Sequence, residues 1–276
     1  MEKKRNIIVG QSGGPTSVIN SSLAGVYKTA KERGFHKVYG MLHGIQGFLD
    51  EQYVDLSTQI HSDMDIELLK RTPSAFLGSC RYKLPEIHEN PDIYDKIFNI
   101  LDKLDIETFI YIGGNDSMDT IKKLSDYAII KGHAQKFLGV PKTIDNDLAL
   151  TDHTPGFGSA AKYIAASTKE VIRDALGLTY HKEMITVIEV MGRNAGWLTG
   201  ATALAKTEEC DGPDLIYLPE LPFDIDKFLK KVQELLKKKE SIVIAVSEGI
   251  KLSDGRYVCE LSGGADYVDA FGHKQL

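Results

Sequence analysis

The sequence predicts an α/β protein whose mainly parallel sheets are covered by helices on both faces. Short β-branched or aromatic runs alternate with segments of helical period along the 276 residues. Such alternation requires crossover connections, which pair strands in parallel. Gly, Asp and Asn also concentrate just beyond several of the strand runs, where open parallel sheets carry their ligand loops.

In chain order the strand runs are residues 6–10, 37–41, 108–112, 137–140, 184–190, 215–218 and 241–246. Each has the pattern of a buried strand. Between them, residues 17–33 place Val18, Ile19, Leu23, Val26, Tyr27 and Ala30 near one helical face. Residues 93–104 repeat Ile93, Ile97, Ile100, Leu101 and Leu104 at helical spacing. Residues 159–176 and 225–239 read the same way, the latter with Phe228, Leu229, Val232, Leu235 and Leu236 opposite a lysine-rich face. No linker or fixed-period repeat interrupts the series, and a subdomain break is expected near Val140-Pro141.

Composition narrows the function classes. The chain is 42% hydrophobic and 26% charged with a formal net charge of −6, which fits a packed core and excludes a disordered chain. A mildly acidic chain with no basic stripe is not expected to bind nucleic acid. No uncharged apolar run approaches the ~18 residues of a membrane helix, so no membrane partner is expected. Ile7-Ile8-Val9 is too short for a signal-peptide core. Cys80, Cys210 and Cys259 are scattered and odd in number, as in a reducing compartment, and a cytoplasmic location is expected. The histidines show neither HxxxH nor HExxH spacing, so a zinc-hydrolase reading has no support. The sequon Asn20-Ser21-Ser22 lies on a predicted helix and carries no expected function. Gly156-Phe157-Gly158-Ser159-Ala160-Ala161 matches GxGxx[GA] but follows no strand, and reads as a loop entering a helix.

Three loops are candidates for chemistry. After the first strand comes Gly10-Gln11-Ser12-Gly13-Gly14-Pro15-Thr16-Ser17, either a phosphate cradle at a helix N-terminus or a plain strand-to-helix turn. It is not a Walker loop, since GxxxxGK[ST] occurs nowhere. After residues 108–112 comes Gly113-Gly114-Asn115-Asp116-Ser117, which could hold Mg²⁺ and phosphate together or merely cap a helix. The third, Pro141-Lys142-Thr143-Ile144-Asp145-Asn146-Asp147, delivers an ammonium, a hydroxyl and two carboxylates within a few positions. Lysine suits a phosphoryl group and an aspartate can take a proton from an attacking hydroxyl, the needs of phosphoryl transfer. A turn alone would use Asn and Asp but would not require Lys142 or Thr143.

Together these segments resemble the phosphofructokinase family. SGG at 12–14, FLGSCRY at 76–82, GGNDS at 113–117, PKTIDND at 141–147, EVMGR at 189–193 and Val246-Ser247-Glu248-Gly249 occur in family order over essentially the whole chain. The resemblance implies three-layer parallel-sheet sandwiches in a two-lobed architecture. A phosphoryl-donor lobe would span residues 1–140 and a sugar-phosphate lobe residues 141–276. The family continues beyond Leu276, so the second lobe is expected to be incomplete at its C-terminal end. Asp116 and Lys142 resemble the pyrophosphate-dependent branch, because ATP-using members typically have glycine at both positions. A carboxylate at Asp116 would repel and replace a nucleotide α-phosphate, while Lys142 would stabilise the transferring phosphoryl and the leaving phosphate.

The resemblance further implies diphosphate binding by Gly13, Gly14, Arg81 and Ser117, with Lys142, Asp116, Thr143 and Asp145 as the catalytic set. Asp145 would be the base on the C1 hydroxyl of fructose 6-phosphate. Thr143, Asp145, Met191, Gly192, Arg193 and Glu248 would meet the sugar phosphate. Mg²⁺ would be held by Asn115, which stands where ATP-using relatives place an aspartate, with Asp147 in support. A reversible transfer in glycolysis and gluconeogenesis is implied, and a homo-oligomer, dimer or tetramer, by family analogy. In bacterial ATP-using members a neighbouring subunit's arginine lies nine positions before the MGR arginine; Met184 stands there, near His181 and Lys182. The alternatives are an ATP-dependent 6-phosphofructokinase and a non-catalytic fragment or subunit of such an enzyme.

Overall fold

The computed structural model describes residues 5–14, 16, 18–180 and 182–262. Pro15, Ser17 and His181, named above, and the end of the chain lie outside the described residues. The chain divides into two compact units, Met1–Lys142 and Thr143–Leu276.

The first unit holds a five-stranded sheet. Its strands are β1 (Asn6–Gln11), β2 (Val38–Met41), β3 (Tyr53–Asp55), β4 (Ile106–Gly113) and β5 (Lys136–Pro141), in the order β3-β2-β1-β4-β5. All neighbours are parallel except β3, which runs antiparallel to β2. The alternation of β1 sends Ile8 to one face and Ile7 and Val9 to the other. Ile8, Phe109 and Tyr111 pack against α2 (Gly44–Leu49), α4 (Pro91–Lys103) and α5 (Asn115–Lys131) through Phe48, Tyr94, Phe98, Leu124 and Tyr127. Ile7, Val9, Ile110 and Ile112 pack against α1 (Ile19–Glu32) and α3 (Asp63–Arg71) through Ile19, Leu23, Tyr27 and Leu69. The result is the expected three layers.

The second unit has an all-parallel sheet of β6 (Met184–Val190), β8 (Ser241–Ser247) and β7 (Leu215–Tyr217), in that order. α6 (Phe157–Gly177) covers one face through Ile172 and Ala175 on Val243, Ile188 and Met184. α8 (Ile225–Leu236) covers the other through Phe228, Val232, Leu235 and Leu236 on Ile242, Ile244 and Tyr217. α7 (Trp197–Ala201) follows the loop after β6. Asp224 caps α8 by accepting a bond from the Lys227 amide at 3.0 Å.

Three expectations need correction. Residues 137–140, 184–190 and 215–218 read as buried strands, yet β5, β6 and β7 lie at sheet edges, β6 with alternate side chains open, β5 largely open and β7 half-buried. Leu138 is 53% exposed, and Ile185 and Val187 are also exposed. A β-branched run specifies a strand but not its place in the sheet. The GxGxx[GA] match behaves as read: Gly156, at φ +97°, ends a loop and opens α6 with no strand before it.

Candidate active site

β1, β4 and β5 are parallel neighbours, so their carboxyl ends lie side by side and the loops leaving them are laced together. The Ser12 amide donates to the Ile112 carbonyl at 2.9 Å, and the Lys142 amide to the Gly113 carbonyl at 2.8 Å. Gly13 takes φ +76°, a conformation that favours glycine, and its amide donates to the Cys80 carbonyl at 3.0 Å. The Ser79 hydroxyl returns a bond to the Gly13 carbonyl at 2.5 Å. Lys142 is only 8% exposed, and its ammonium donates to the Gly14 carbonyl. A side chain on Gly13 would begin 3.4 Å from that nitrogen. A cation therefore stands against a glycine-rich turn at the strand ends, the place where open parallel sheets take ligands.

In the GGNDS loop, Asn115 begins α5 and is exposed, and Asp116 in the same first turn is half-buried. Ser117 is buried, its hydroxyl in a short bond with that of Ser12. That hydroxyl links two loops beneath the surface. Tyr111, buried next to them, receives a bond from the Ile45 amide at 3.0 Å and lies 3.7 Å from the Cys80 sulfur. Burial and the neighbouring thiol hold its phenol well above the ordinary tyrosine range, so it remains protonated.

Arg81 is exposed on a stretch from Thr72 to Asn90 that contains no helix or strand. Side chains that the sequence did not single out hold this stretch. Gln11 Oε1 accepts from the Leu77 amide at 2.9 Å, while Gln11 Nε2 donates to Asn20 Oδ1 at 3.0 Å and to the Ile19 carbonyl at 3.1 Å. Asn20, 1% exposed, accepts from the Phe76 amide at 2.9 Å and donates to the Thr72 carbonyl at 2.9 Å. Beyond Arg81, the buried Lys123 donates to the Leu84 carbonyl at 3.0 Å and pairs with Asp119 and Glu86, each at 2.8 Å. Burial opposes the charge on Lys123, but the two carboxylates outweigh it and raise its pKa. One signal was available: Asn20 is a polar residue inside the apolar stripe of α1, beside Ile19 and Leu23. Its burial also removes it as a glycosylation acceptor.

In the second unit, the Asp145 amide donates to the Thr143 hydroxyl at 3.1 Å, closing a tight turn. Asp145 is half-buried and Asp147 exposed. The EVMGR and SEG segments interlock. The Gly192 amide donates to Glu248 Oε1 at 3.0 Å, the Ser247 hydroxyl to the Gly192 carbonyl at 2.6 Å, and the Glu248 amide to the Val190 carbonyl at 3.0 Å. A Cβ on Gly249 would fall 1.8 Å from the Arg193 carbonyl oxygen, so only glycine permits this approach. Met191 is exposed and Arg193 half-buried. Met184 opens β6 with its side chain in the α6 layer, a core position. Trp197 is 58% exposed, edge-on to Phe157 at 6.5 Å between ring centroids.

Among the described residues no three His, Cys, Asp or Glu side chains converge as a metal cage. The amide oxygen of Asn115, exposed at the start of α5, fits a different mode, a hard cation that keeps several waters and takes further oxygens from phosphate. Among the described residues no helix is long and apolar enough to cross a membrane.

A glycine turn with a buried ammonium, on laced loops at the ends of parallel strands, is the kind of site that suits an anionic ligand in an α/β protein. The phosphofructokinase family model matches residues 6–275, and the chain belongs to that family. It is 43% identical over 271 residues to a pyrophosphate–fructose 6-phosphate 1-phosphotransferase of Xanthomonas campestris pv. campestris, covering 98% of this chain and 63% of the relative. A protein of the same name from Halomonas elongata is 42% identical over 275 residues, covering 99% and 64%. The crystal structure of a pyrophosphate-dependent phosphofructokinase from Nitrosospira multiformis superposes with a TM-score of 0.81 at 41% identity, covering 91% of this chain and 62% of that one. The chain thus spans somewhat under two thirds of the length of these relatives.

Proposed function

We propose that the chain transfers a phosphoryl group from diphosphate to the C1 hydroxyl of fructose 6-phosphate, giving fructose 1,6-bisphosphate and phosphate. The observation that carries the donor assignment is the buried ammonium of Lys142 against the Gly13-Gly14 turn. In this reading residues 1–140, joined by Lys142 just beyond them, handle the donor, and the rest of residues 141–276 the sugar phosphate. Lys142, the Gly13 and Gly14 backbone and Arg81 bind diphosphate. Asp116 excludes a nucleotide by occupying and charging the α-phosphate position. Ser117 contributes by fixing the loop through Ser12.

Asp145 takes the proton of the C1 hydroxyl as its oxygen forms a bond to the transferred phosphorus. The bridging P–O bond breaks, and the electron pair leaves with phosphate, whose charge Lys142 balances. Thr143 orients Asp145. Arg193 meets the sugar phosphate, with Met191, Gly192 and Glu248 shaping that pocket. The cation is proposed to be Mg²⁺, held by Asn115 with Asp147 in support, and it neutralises phosphate charge when bound. Because diphosphate drives the transfer less strongly than ATP, the step runs in both directions, serving glycolysis and gluconeogenesis. A cytoplasmic homo-oligomer, dimer or tetramer, is part of the same proposal.

The test couples fructose 1,6-bisphosphate formation to aldolase with diphosphate or ATP as donor, in the chain and in the double variant Asp116→Gly, Lys142→Gly. Diphosphate turnover is expected to dominate and to fall about 10²-fold or more in the variant. ATP turnover above diphosphate turnover, or unchanged diphosphate kinetics in the variant, refutes the donor assignment.

A further inference from the structure

Asn146 stands between the two aspartates of the third loop and has no part in the chemistry proposed above. Its environment differs from theirs. Asp145 is half-buried and Asp147 exposed, but Asn146 is turned inward and only 7% exposed. It takes φ +59°, the left-handed conformation that Asn tolerates better than other residues with a Cβ. Its amide is used at both ends: Oδ1 accepts from the Thr154 backbone amide at 2.8 Å, and Nδ2 donates to the Asp152 carbonyl at 3.0 Å. Thr154 is itself buried, and its carbonyl accepts from the Phe157 amide at 3.1 Å, at the first turn of α6.

These bonds span a segment without regular secondary structure. Residues 142–156 form neither helix nor strand, and Leu150 at φ +58° is fully exposed at the tip. A loop of this length without secondary structure keeps a fixed shape only where side chains supply the missing ladder. Asn146 supplies it at the residue between the carboxylates. Its left-handed turn sets the chain direction through Asp145 and Asp147, and its amide anchors that turn to the start of α6.

We infer that Asn146 is the positioning residue for the Asp145 carboxylate, acting through its two bonds to the 152–154 backbone. The inference rests on the reading of Asp145 as the base. Backbone conformation and side-chain anchor can be separated by substitution. Asn146→Gly keeps the positive φ at no steric cost and removes both bonds. Asn146→Asp keeps the acceptor for Thr154, loses the donor to Asp152 and retains the tolerance for φ +59°.

The experiment measures residue-resolved hydrogen exchange and steady-state kinetics for the parent chain, Asn146→Gly, Asn146→Asp and Asp145→Ala. For Asn146→Gly, the Thr154 amide should exchange at least about tenfold faster while β6 and β8 amides keep their protection. Its kcat should fall about 10²-fold, as for a catalytic group displaced by about 1 Å, with KM for diphosphate within about twofold. Asn146→Asp should fall between the two in both readouts, and it serves as the test if the glycine variant does not fold. Turnover lost in Asp145→Ala but retained in Asn146→Gly overturns the inference. Unchanged Thr154 exchange, or a uniform rise across the second unit with kcat intact, overturns it too. If Asp145→Ala keeps its kcat, it is the base assignment that fails.

Discussion

Asn20→Leu removes the hub of the bonds that hold the Arg81 stretch, and its cost can be worked from the geometry. The side chain makes three bonds: from Gln11 Nε2, from the Phe76 amide and to the Thr72 carbonyl. Thr72 is exposed, so its carbonyl recovers water, and Gln11 Nε2 keeps its bond to the Ile19 carbonyl. The Phe76 amide is the main loss, a part-buried donor left without a partner, with half of the Gln11 amide beside it. Each such group costs about 1–3 kcal/mol, and leucine returns some apolar burial, so a net loss of about 2–4 kcal/mol is expected. For a unit of this size that lowers Tm by roughly 5–15 °C. Thermal unfolding by circular dichroism measures the loss, and peptide-resolved trypsin cleavage after Arg81 locates it. Ser21→Ala is the control, since Ser21 makes only an exposed bond to the Lys70 carbonyl and should change Tm by at most about 2 °C. If Asn20→Leu behaves like Ser21→Ala, or if cleavage after Arg81 does not accelerate, the role assigned to the Gln11–Asn20 pair is wrong.

Gly113→Ala would put a Cβ 2.0 Å from the Ser117 hydroxyl and 2.6 Å from that of Ser12, forcing the two loops apart. A cost of about 1–3 kcal/mol and weaker diphosphate binding by calorimetry are expected; wild-type Tm together with wild-type affinity would contradict the lacing described here. Alkaline pH offers a separate check on the first unit. Burial pushes the Tyr94 phenol up to about 12, and burial with a bond to Asp95 does the same for Tyr127. Unfolded tyrosine ionises near ~10, so between ~10 and ~12 the unfolded chain binds fewer protons than the folded one. The stabilisation is therefore complete below pH ~10 and is lost as pH rises toward ~12. Urea midpoints that stay flat to pH ~11.5 would show that these phenols ionise freely in the folded chain.

Seven of the eight strands among the described residues were legible because hydrophobic runs and terminal glycines are local signals. The long-range acidic and amide pairings were not. The short β3 is an antiparallel edge with half-buried residues, and α2 is a single turn-and-a-half with two glycines, so neither leaves a periodic trace. α3 does carry a signature, the capping box of Ser62 and Asp65, but Met64 and Leu68 are exposed and blur its apolar face. At the site, the glycine and aspartate clusters announced the loops. What orders them, Ser12 with Ser117, Gln11 with Leu77 and Asn20 with Phe76, joins residues 56 to 105 positions apart. Single-sequence periodicity contains no term for such pairs. The glycosylation sequon at Asn20 illustrates the gap, since the residue that looked dispensable is among the most buried polar groups of the first unit.

Trp197 is the sole tryptophan of the chain, and it opens α7, a few residues after Arg193 of the loop proposed to meet the sugar phosphate. A single, largely solvated indole makes the protein its own optical reporter. Its emission comes from one place, so a change on titrating fructose 6-phosphate or fructose 1,6-bisphosphate would report that loop without any label. Diphosphate, held by the other unit in the proposed scheme, supplies the matching silent titration. The two ligands could thus be told apart by light before any turnover is measured.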